Sequence, residues 1–282
     1  MIKYLSNSSM NEWERCNWKF KLKRLSGKKY ARTPALAPDA GIVFDMFCKA
    51  EINRRVPLEF SDNLHPEALK WGTDLFNIYR DSGALQNLIN EGIGVVTAGI
   101  EKVLNGVPIY GLPDIIMTDG TIKDWKTNGV GSASGAYAKP GYYRRIDCQF
   151  GSKQFEIKPP HAKAGQPLEL TSPQWAQQTC LYSFLNGRRP GEKFQVGIEQ
   201  LAVHKTKLSI CSYQGEVSEE FQMEVWNMLP RIWRRLQRGF FEVPVFSKFT
   251  CRAFGRRCEV ADDCYAFQTH LQEMQKEDNQ IL

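Results

Sequence analysis

Gly111-Leu-Pro-Asp-Ile-Ile-Met-Thr-Asp-Gly-Thr-Ile-Lys-Asp-Trp-Lys-Thr127 decides how this chain is read. Short apolar runs flank Asp119-Gly120, a dipeptide suited to a tight hairpin, so the stretch reads as two antiparallel strands. Side chains two apart on a strand share a face, which puts Asp124 and Lys126 on the same side. Asp114 precedes the turn, on the partner strand, where it can face them. Two carboxylates and an ammonium converging on one spot make a place for a divalent cation, a phosphate and an attacking water. The chemistry implied is phosphodiester hydrolysis.

Upstream, Asn105-Gly106 supplies another hairpin turn, so 94–103, 107–117 and 122–126 read as a three-strand meander. A helix is expected ahead of it, opened by the capping-box pattern Ser9-Met-Asn-Glu12 and carrying Trp13, Cys16 and Phe20 on one face. A loop over 28–40 leads to a helix from near Asp39 past Glu51. Residues 66–90 read as further helix, with Trp71, Leu75 and Tyr79 in register. After the meander, 127–170 is rich in Gly, Pro, Tyr and Lys, with a small hairpin of 145–150 against 154–158. Ser172-Pro173 opens a helix that ends at Asn186-Gly187. Strands follow at 194–203 and 208–213, then a long helix over 218–238 in which Pro230 predicts a kink. The fold class is therefore α/β (α+β), a central mixed sheet with a three-strand meander flanked by helices. One domain is expected over 1–270, with a helical insertion near 52–93, a basic insert near 127–170 and a disordered tail from 276 within a terminal segment, 271–282.

The 282 residues and a hydrophobic content of 42% suffice for one large packed core. Lys plus Arg total 37 against 31 Asp plus Glu, a formal charge of +6 whose placement says more than its size. Lys19, Lys23 and Arg24 belong to a basic cluster near the start. Arg234 and Arg235 belong to another at 231–238, beside Trp233. Such clusters are solvated helix faces or contacts for a polyanion. No apolar run is long enough to span a bilayer, and the first residues lack the apolar segment of a secretory signal. A cytoplasmic location without membrane association is expected, where disulfides are rare.

The eight cysteines then need another account. Cys48, Cys148, Cys180 and Cys211 are scattered and read as structural. Cys251, Cys258 and Cys264 lie close together, and thiolates so grouped hold zinc or an iron–sulfur cluster. No Cys-x-x-Cys is present, which disfavours a zinc ribbon; unliganded core cysteines are the remaining alternative. A second acidic-x-Lys, Glu156-Ile-Lys158 preceded by Asp147, competes with the Asp114 set. It lies in the Gly/Pro/Lys-rich insert without a clear upstream strand. The Asp114 set has Pro113 before its first Asp and hairpin turns on both sides, and is preferred.

Gly111-Leu-Pro-Asp114 followed by Ile122-Lys-Asp-Trp-Lys-Thr127 resembles the PD-(D/E)XK nuclease superfamily, and more narrowly its RecB-like branch. Other features of that branch follow in the same order. The opening Leu5-Ser…Asn11-Glu-Trp-Glu-Arg-Cys16-Asn-Trp-Lys-Phe20 resembles its first helix. Gln178-Thr-Cys-Leu-Tyr182 resembles its Gln-x-x-x-Tyr helix, and Cys251, Cys258 and Cys264 resemble the C-terminal trio of its iron–sulfur members. Those members include the AddB helicase–nuclease subunit, CRISPR-adaptation nucleases and phage-encoded relatives, the last of which work in a host cytoplasm. The resemblance covers residues 5–265.

The resemblance implies a restriction-endonuclease-like core and a site. Asp114 and Asp124, helped by the backbone carbonyl of Trp125, would hold Mg²⁺ or Mn²⁺. Lys126 would orient the attacking water or steady charge on the phosphorane. Gln178 and Tyr182 would help place the DNA backbone. Cys16 would join Cys251, Cys258 and Cys264 around a [4Fe–4S] cluster stapling the two ends of the domain, with zinc as the alternative. One departure stands out. The family's Gly-x-x-x-His is Gly41-Ile-Val-Phe-Asp45 here. An Asp oxygen suits Mg²⁺ or Mn²⁺, so Asp45 is either a further metal ligand or an ordinary helix-surface residue. Glu101 is another candidate acid.

The expected activity is a DNA nuclease on single strands or ends, exonucleolytic rather than endonucleolytic. The basic arm, the 231–238 helix and the insert could line a channel, with Tyr137, Tyr142, Tyr143 and Trp125 as stacking surfaces for unpaired bases. Gly-x-x-x-x-Gly-Lys-Ser/Thr is absent, so any helicase or recombination partner is a separate chain. The rival expectations are a catalytically inactive nucleic-acid-binding protein and an iron–sulfur redox sensor.

Overall fold

The structure, a computed structural model, describes residues 2–30, 32–57, 59, 63–96, 99–132, 134–242, 244, 247, 251 and 258–280, the last eight as backbone only. Its helices are α1 (Asn7–Arg15), α2 (Asn17–Phe20), α3 (Leu36–Ile52), α4 (Ala68–Asp81), α5 (Ala84–Asn90), α6 (Leu168–Thr171), α7 (Pro173–Leu185), α8 (Glu219–Gln237) and α9 (Tyr265–Gln280). Its strands are β1 (Ile93–Val96), β2 (Ile100–Leu104), β3 (Val107–Gly111), β4 (Ile115–Met117), β5 (Ile122–Asn128), β6 (Arg144–Gln149), β7 (Glu156–Lys158), β8 (Gln195–His204) and β9 (Lys207–Glu216). Two compact units result: Pro34–Lys102 with Gly111–Trp226, and Met1–Thr33 with Val103–Tyr110 and Asn227–Leu282. No helix among the described residues is long and apolar enough to cross a membrane.

The first unit is built on a mixed seven-stranded sheet in the order β1-β4-β5-β8-β9-β6-β7. Among the described strands of this sheet β5 and β8 are the parallel pair; the chain between them forms β6 and β7 and returns through α6 and α7. Strand β5 explains the layering. Its residues from Ile122 to Trp125 are all buried, so both faces of the sheet are covered. Trp125 meets Phe44 of α3 and Tyr79 of α4 on one face, within a core that also holds Leu75, Leu85, Leu201 and Ile210. Each such side chain stabilises the fold by about 1.5–3 kcal/mol on burial. Asp124 and Lys126 point to the other face, where α7 packs against β5 and β8.

The meander is present as β1-β4-β5, but its strands are shorter than the sequence reading has them. Expected strand 107–117 is broken into β3 and β4 at Leu112-Pro113-Asp114. Pro113 has no N–H to give a ladder, and it restricts the residue before it. Expected strand 94–103 likewise becomes β1 and β2. Strands β2 and β3 form a separate two-stranded sheet around Asn105-Gly106, both at positive φ as the hairpin requires. Helix α3 starts ahead of Asp39 because Pro38 fits a first helical turn, where N–H groups have no partner to lose. The 66–90 helix is interrupted at Gly83, whose φ is 78°. The hairpin in the insert forms as β6 and β7, and it also extends the main sheet through β9, which the sequence reading does not foresee.

In the second unit the capping box is Ser6 with Ser9, so α1 begins before the expected Ser9. Trp13 and Phe20 do meet edge to face at 5.5 Å. Cys16 between them is extended, not helical; it ends α1 and its Sγ caps α2 by accepting from the Lys19 N–H at 3.3 Å. The main-chain groups of Leu5 bond to Pro108 and Tyr110, tying the N-terminal segment to β3. Helix α9 continues to Gln280, where a disordered tail is expected from the sequence.

Candidate functional site

Four elements of the sheet unit assemble an acidic site. Strand β5 supplies Asp124 and Lys126. Strand β4 runs antiparallel to β5 with Ile115 opposite Lys123, which brings Asp114, just ahead of it, alongside. Asp114 Oδ2 accepts the Trp125 backbone N–H at 3.1 Å. Helix α7 supplies Gln178 and Tyr182, one turn apart. Lys126 Nζ donates to Asp124 Oδ2 and, at 2.9 Å, to Gln178 Oε1. The Gln178 amide donates back to Asp124 Oδ1 and to the Tyr182 hydroxyl, both at 3.2 Å.

Helix α3 supplies Asp45 and Lys49. The Lys49 ammonium lies 2.6 Å from Asp45 Oδ2 and 3.1 Å from Asp114 Oδ1. A Cβ on Gly41 would come within 2.5 Å of Thr127 Oγ1, so a glycine there lets α3 approach β5 closely. The cleft between Gly41, Asp45, Asp114 and Trp125 measures about 240 Å³.

Burial, with the Asp114 charge adding to it, raises the Asp45 carboxyl to about 6 against the pull of Lys49. Burial lowers the Lys126 ammonium to about 8, with Asp114 and Asp45 opposing. Burial also works against the Lys49 charge, but Asp114 and Asp45 outweigh it and hold its pKa above the usual range.

Asp114, Asp124, Lys126, Gln178 and Tyr182 are thus brought together, and Asp45 stands with them. Lys49 escapes the sequence reading; its signal is the i, i+4 spacing from Asp45. Glu101 is exposed on β2, in the two-stranded sheet. Trp125 lends its N–H to Asp114. Its ring is only 6% exposed, so it is no stacking surface, contrary to the sequence expectation. Tyr142 and Tyr143 are half-buried, and Tyr137 is exposed.

The side chains fit a hard divalent cation in one specific respect. Asp45 Oδ1 is buried and has no hydrogen-bond partner, an acceptor suited to a cation, and the neighbouring acids are oxygen donors too. Among the described residues no three His, Cys, Asp or Glu side chains close on an ion-sized point. The Lys49 and Lys126 ammonium groups bond those carboxylates instead.

In the other unit, Cys16, Cys251, Cys258 and Cys264 line one cavity of about 550 Å³, together with Arg231 and Arg235. All four are free thiols. Burial raises the pKa of Cys16, and Cys264 and Cys251 add to the rise. The cavity lining also holds Glu14, Lys19 and Glu242, and the four thiols among these side chains are the soft ligands a metal or cluster would need. Cys48, Cys148, Cys180 and Cys211 are buried singly, and burial pushes their thiols up, Cys148 to about 11 and Cys211 to about 12. Arg252, Arg256 and Arg257 stand around these cysteines in the sequence, where they would supply phosphate contacts, and lie outside the described residues.

The basic residues expected to meet DNA are engaged within their own unit. Lys23 lies 2.7 Å from Glu259 and 3.5 Å from Glu12, and Lys19 lies 3.9 Å from Glu259. Arg24 pairs with Glu12 at 2.9 Å. Arg235 pairs with Glu242 and lies over the Phe240 and Trp13 rings, and Arg234 donates to the Pro230 carbonyl.

No family model matches this chain, and no curated protein does. Among solved structures, one described as a "putative exonuclease" from Eubacterium rectale superposes with a TM-score of 0.52 at 15% sequence identity. The match covers 93% of this chain and 87% of that one. The two share a fold: a central mixed sheet flanked by helices.

Proposed function

We propose that this chain is a divalent-metal-dependent nuclease of the PD-(D/E)XK superfamily, in its RecB-like branch, acting on single-stranded DNA or DNA ends as an exonuclease. The observation that carries the reading is the convergence of Asp114, Asp124 and Lys126 from adjoining strands, with Gln178 bridging the acid and the base. The shared fold supports it, since the similar structure is itself described as that of a "putative exonuclease".

Asp114 and Asp124, with Asp45 and the Trp125 carbonyl, would hold Mg²⁺ or Mn²⁺. Such an ion, when bound, makes the scissile phosphorus more electrophilic and a nearby water more acidic. The water oxygen forms the new P–O bond as the bond to the leaving sugar oxygen breaks, and protons exchange with solvent. Lys126 stabilises the negative charge that grows on the phosphoryl oxygens. Gln178 keeps Lys126 and Asp124 in register, and Tyr182 fixes the Gln178 amide. Lys19, Lys23, Arg24, Arg234 and Arg235 are proposed to give up part of their internal pairing to contact phosphates.

Cys16, Cys251, Cys258 and Cys264 are proposed to hold a [4Fe–4S] cluster. The four thiols line one cavity and contain no Cys-x-x-Cys pair of the zinc-ribbon kind, which favours a cluster over a single zinc ion. The cluster takes no part in the hydrolysis. A cytoplasmic protein working beside a separate helicase or recombination protein is the setting that suits this activity.

The test is cleavage of end-labelled single-stranded DNA with added Mg²⁺ or Mn²⁺. Lys126→Ala should slow cleavage by about 10²–10³-fold. Wild-type protein that binds the DNA but leaves it intact with either metal would overturn the nuclease reading in favour of an inactive binding protein.

A further inference from the structure

A second cleft lies on the sheet face that carries Asp124 and Lys126. Register partners in adjacent strands share a face, and the pairing Lys126–Gln200–Cys211–Arg145–Lys158 crosses five strands in one row. Arg145 is three strand spacings from Lys126, roughly 14 Å at about 4.8 Å each. There a cleft of about 580 Å³ opens, floored by β6 and β7 and bounded by Tyr137 and His204.

Three observations give this cleft a ligand chemistry. The first is an aromatic plate. The Tyr137 ring is 70% exposed and packs on His204 at 4.5 Å between centroids. Its backbone is nevertheless pinned. The Val203 carbonyl accepts the Ala136 N–H at 2.8 Å, the Tyr137 carbonyl accepts the Gln200 amide at 3.5 Å, and the Lys139 carbonyl accepts the Tyr213 hydroxyl at 2.8 Å. An exposed ring on an anchored backbone is preorganised for stacking, at little entropic cost. The second is a mixed polar floor. Asp147 and Glu156 are register partners, and each is paired with a cation two residues along its own strand, Arg145 and Lys158. Alternating acceptors and donors of this kind suit the hydrogen-bonding edge of a base. The third is the rim, where the exposed Lys207 adds a cation for phosphate.

We infer that this cleft binds an unpaired nucleotide of the strand being processed, its base stacked on Tyr137 and its phosphate near Lys207 and Lys158. The inference rests on the nuclease reading for the identity of the strand; Gln200 and Cys211, between Lys126 and Arg145 in the row, are buried, so the row gives the distance between cleft and acidic site and not the path of the strand. It assigns the insert a job, holding single-stranded substrate a few nucleotides from the cut.

The experiment is fluorescence anisotropy of a labelled single-stranded oligonucleotide of about 20 nucleotides with the full chain, under chelator so that no cleavage occurs. Tyr137→Ala should weaken binding about 5- to 100-fold, the range for losing one base–aromatic stack, and Tyr137→Phe should restore it. Lys207→Ala should weaken binding and reduce the salt dependence of log K by about one. Unchanged affinity in both Tyr137→Ala and Lys207→Ala, or no binding by the wild type, overturns the inference. If the wild type cleaves DNA while the variants bind normally, the cleft fails and the nuclease stands. If nothing is cleaved but Tyr137→Ala binds poorly, the cleft stands and the nuclease falls.

Discussion

Lys49 places its ammonium 3.1 Å from Oδ1 of Asp114, a residue 65 positions further along the chain. The same nitrogen bonds Asp45 at 2.6 Å, so a protein cation sits between two of the three acids proposed to hold a metal. An ammonium and a divalent ion compete for the same carboxylates, and at short range in a half-buried site a unit charge weighs several kcal/mol. Lys49→Ala is therefore expected to tighten Mn²⁺ binding in the absence of DNA, by about tenfold or more. Calorimetric titration measures it. Weaker metal binding in the variant would mean that Lys49 supports the site and does not compete with the ion.

Gln178 is expected to matter for turnover more than for DNA affinity. It touches both Lys126 and Asp124 and is itself held by Tyr182. Without it the ammonium is free to leave the productive position, and small misplacements in such sites cost up to about 100-fold in rate. Gln178→Ala should lower kcat by 10- to 100-fold on that scale, with little change in oligonucleotide binding under chelator. Equal losses in both would make Gln178 a DNA contact alone.

How much of this was open to sequence reasoning depends on the range of each signal. Asp119-Gly120 and Asn105-Gly106 are local and fix their hairpins, so Asp114, Asp124 and Lys126 could be brought together on paper. Pro113 is visible too, but its effect on the ladder depends on which strands flank it, so the sequence alone reads β3 and β4 as one strand. Trp13, Cys16 and Phe20 keep helical spacing whether or not the helix breaks between them, which hid the extended Cys16. The pairing of β6 with β9 joins residues some 60 positions apart, and no local pattern encodes it. In the sequence Lys49 carries no signal beyond its place a turn away from an aspartate, because its second partner, Asp114, is supplied by the fold.

Glu199 gives a pH test of the fold. It is fully buried on β8 and bonded by Ser212 at 2.8 Å, and one of its oxygens has no partner. Burial raises its pKa above the ordinary 4.5, against the pull of Lys123 and Arg144. The folded state thus keeps a proton that the unfolded state releases near 4.5, so this group's contribution to stability falls as pH rises from there through the folded-state value. Glu199→Gln does not titrate. Its stability relative to wild type should rise between pH 4.5 and pH 7.5 in urea denaturation, whatever its offset at the lower pH. A difference independent of pH would show that Glu199 is ionised in the fold at no cost.

Helices α3 and α4 meet at Gly72, where an added Cβ would lie 2.5 Å from Val43 Cγ1 and 2.8 Å from the Ala40 carbonyl oxygen. The backbone oxygen cannot rotate away, so Gly72→Ala should separate the helices and destabilise by about 1–3 kcal/mol despite the better helix propensity of alanine. Denaturant midpoints measure it. The shift should also reach the acidic site, because α3 carries Asp45 and Lys49.

Cys16 provides the sharpest test of the thiol cavity, because it stands more than 230 positions before Cys251 and joins it only through the fold. If the four thiols hold an iron–sulfur cluster, anaerobically purified protein is coloured, with broad visible absorption. Cys16→Ser and Cys264→Ser should each bleach it. Binding free energy at a ligand set that exists only in the folded chain is folding free energy, so both variants should also melt several degrees lower. Cys180→Ser, a thiol buried alone, should keep the colour. A colourless wild type with stoichiometric zinc, lost in the same two variants, would assign the cavity to zinc. A colourless protein without metal, even when iron and sulfide are supplied during anaerobic reconstitution, would leave four core thiols that serve packing alone.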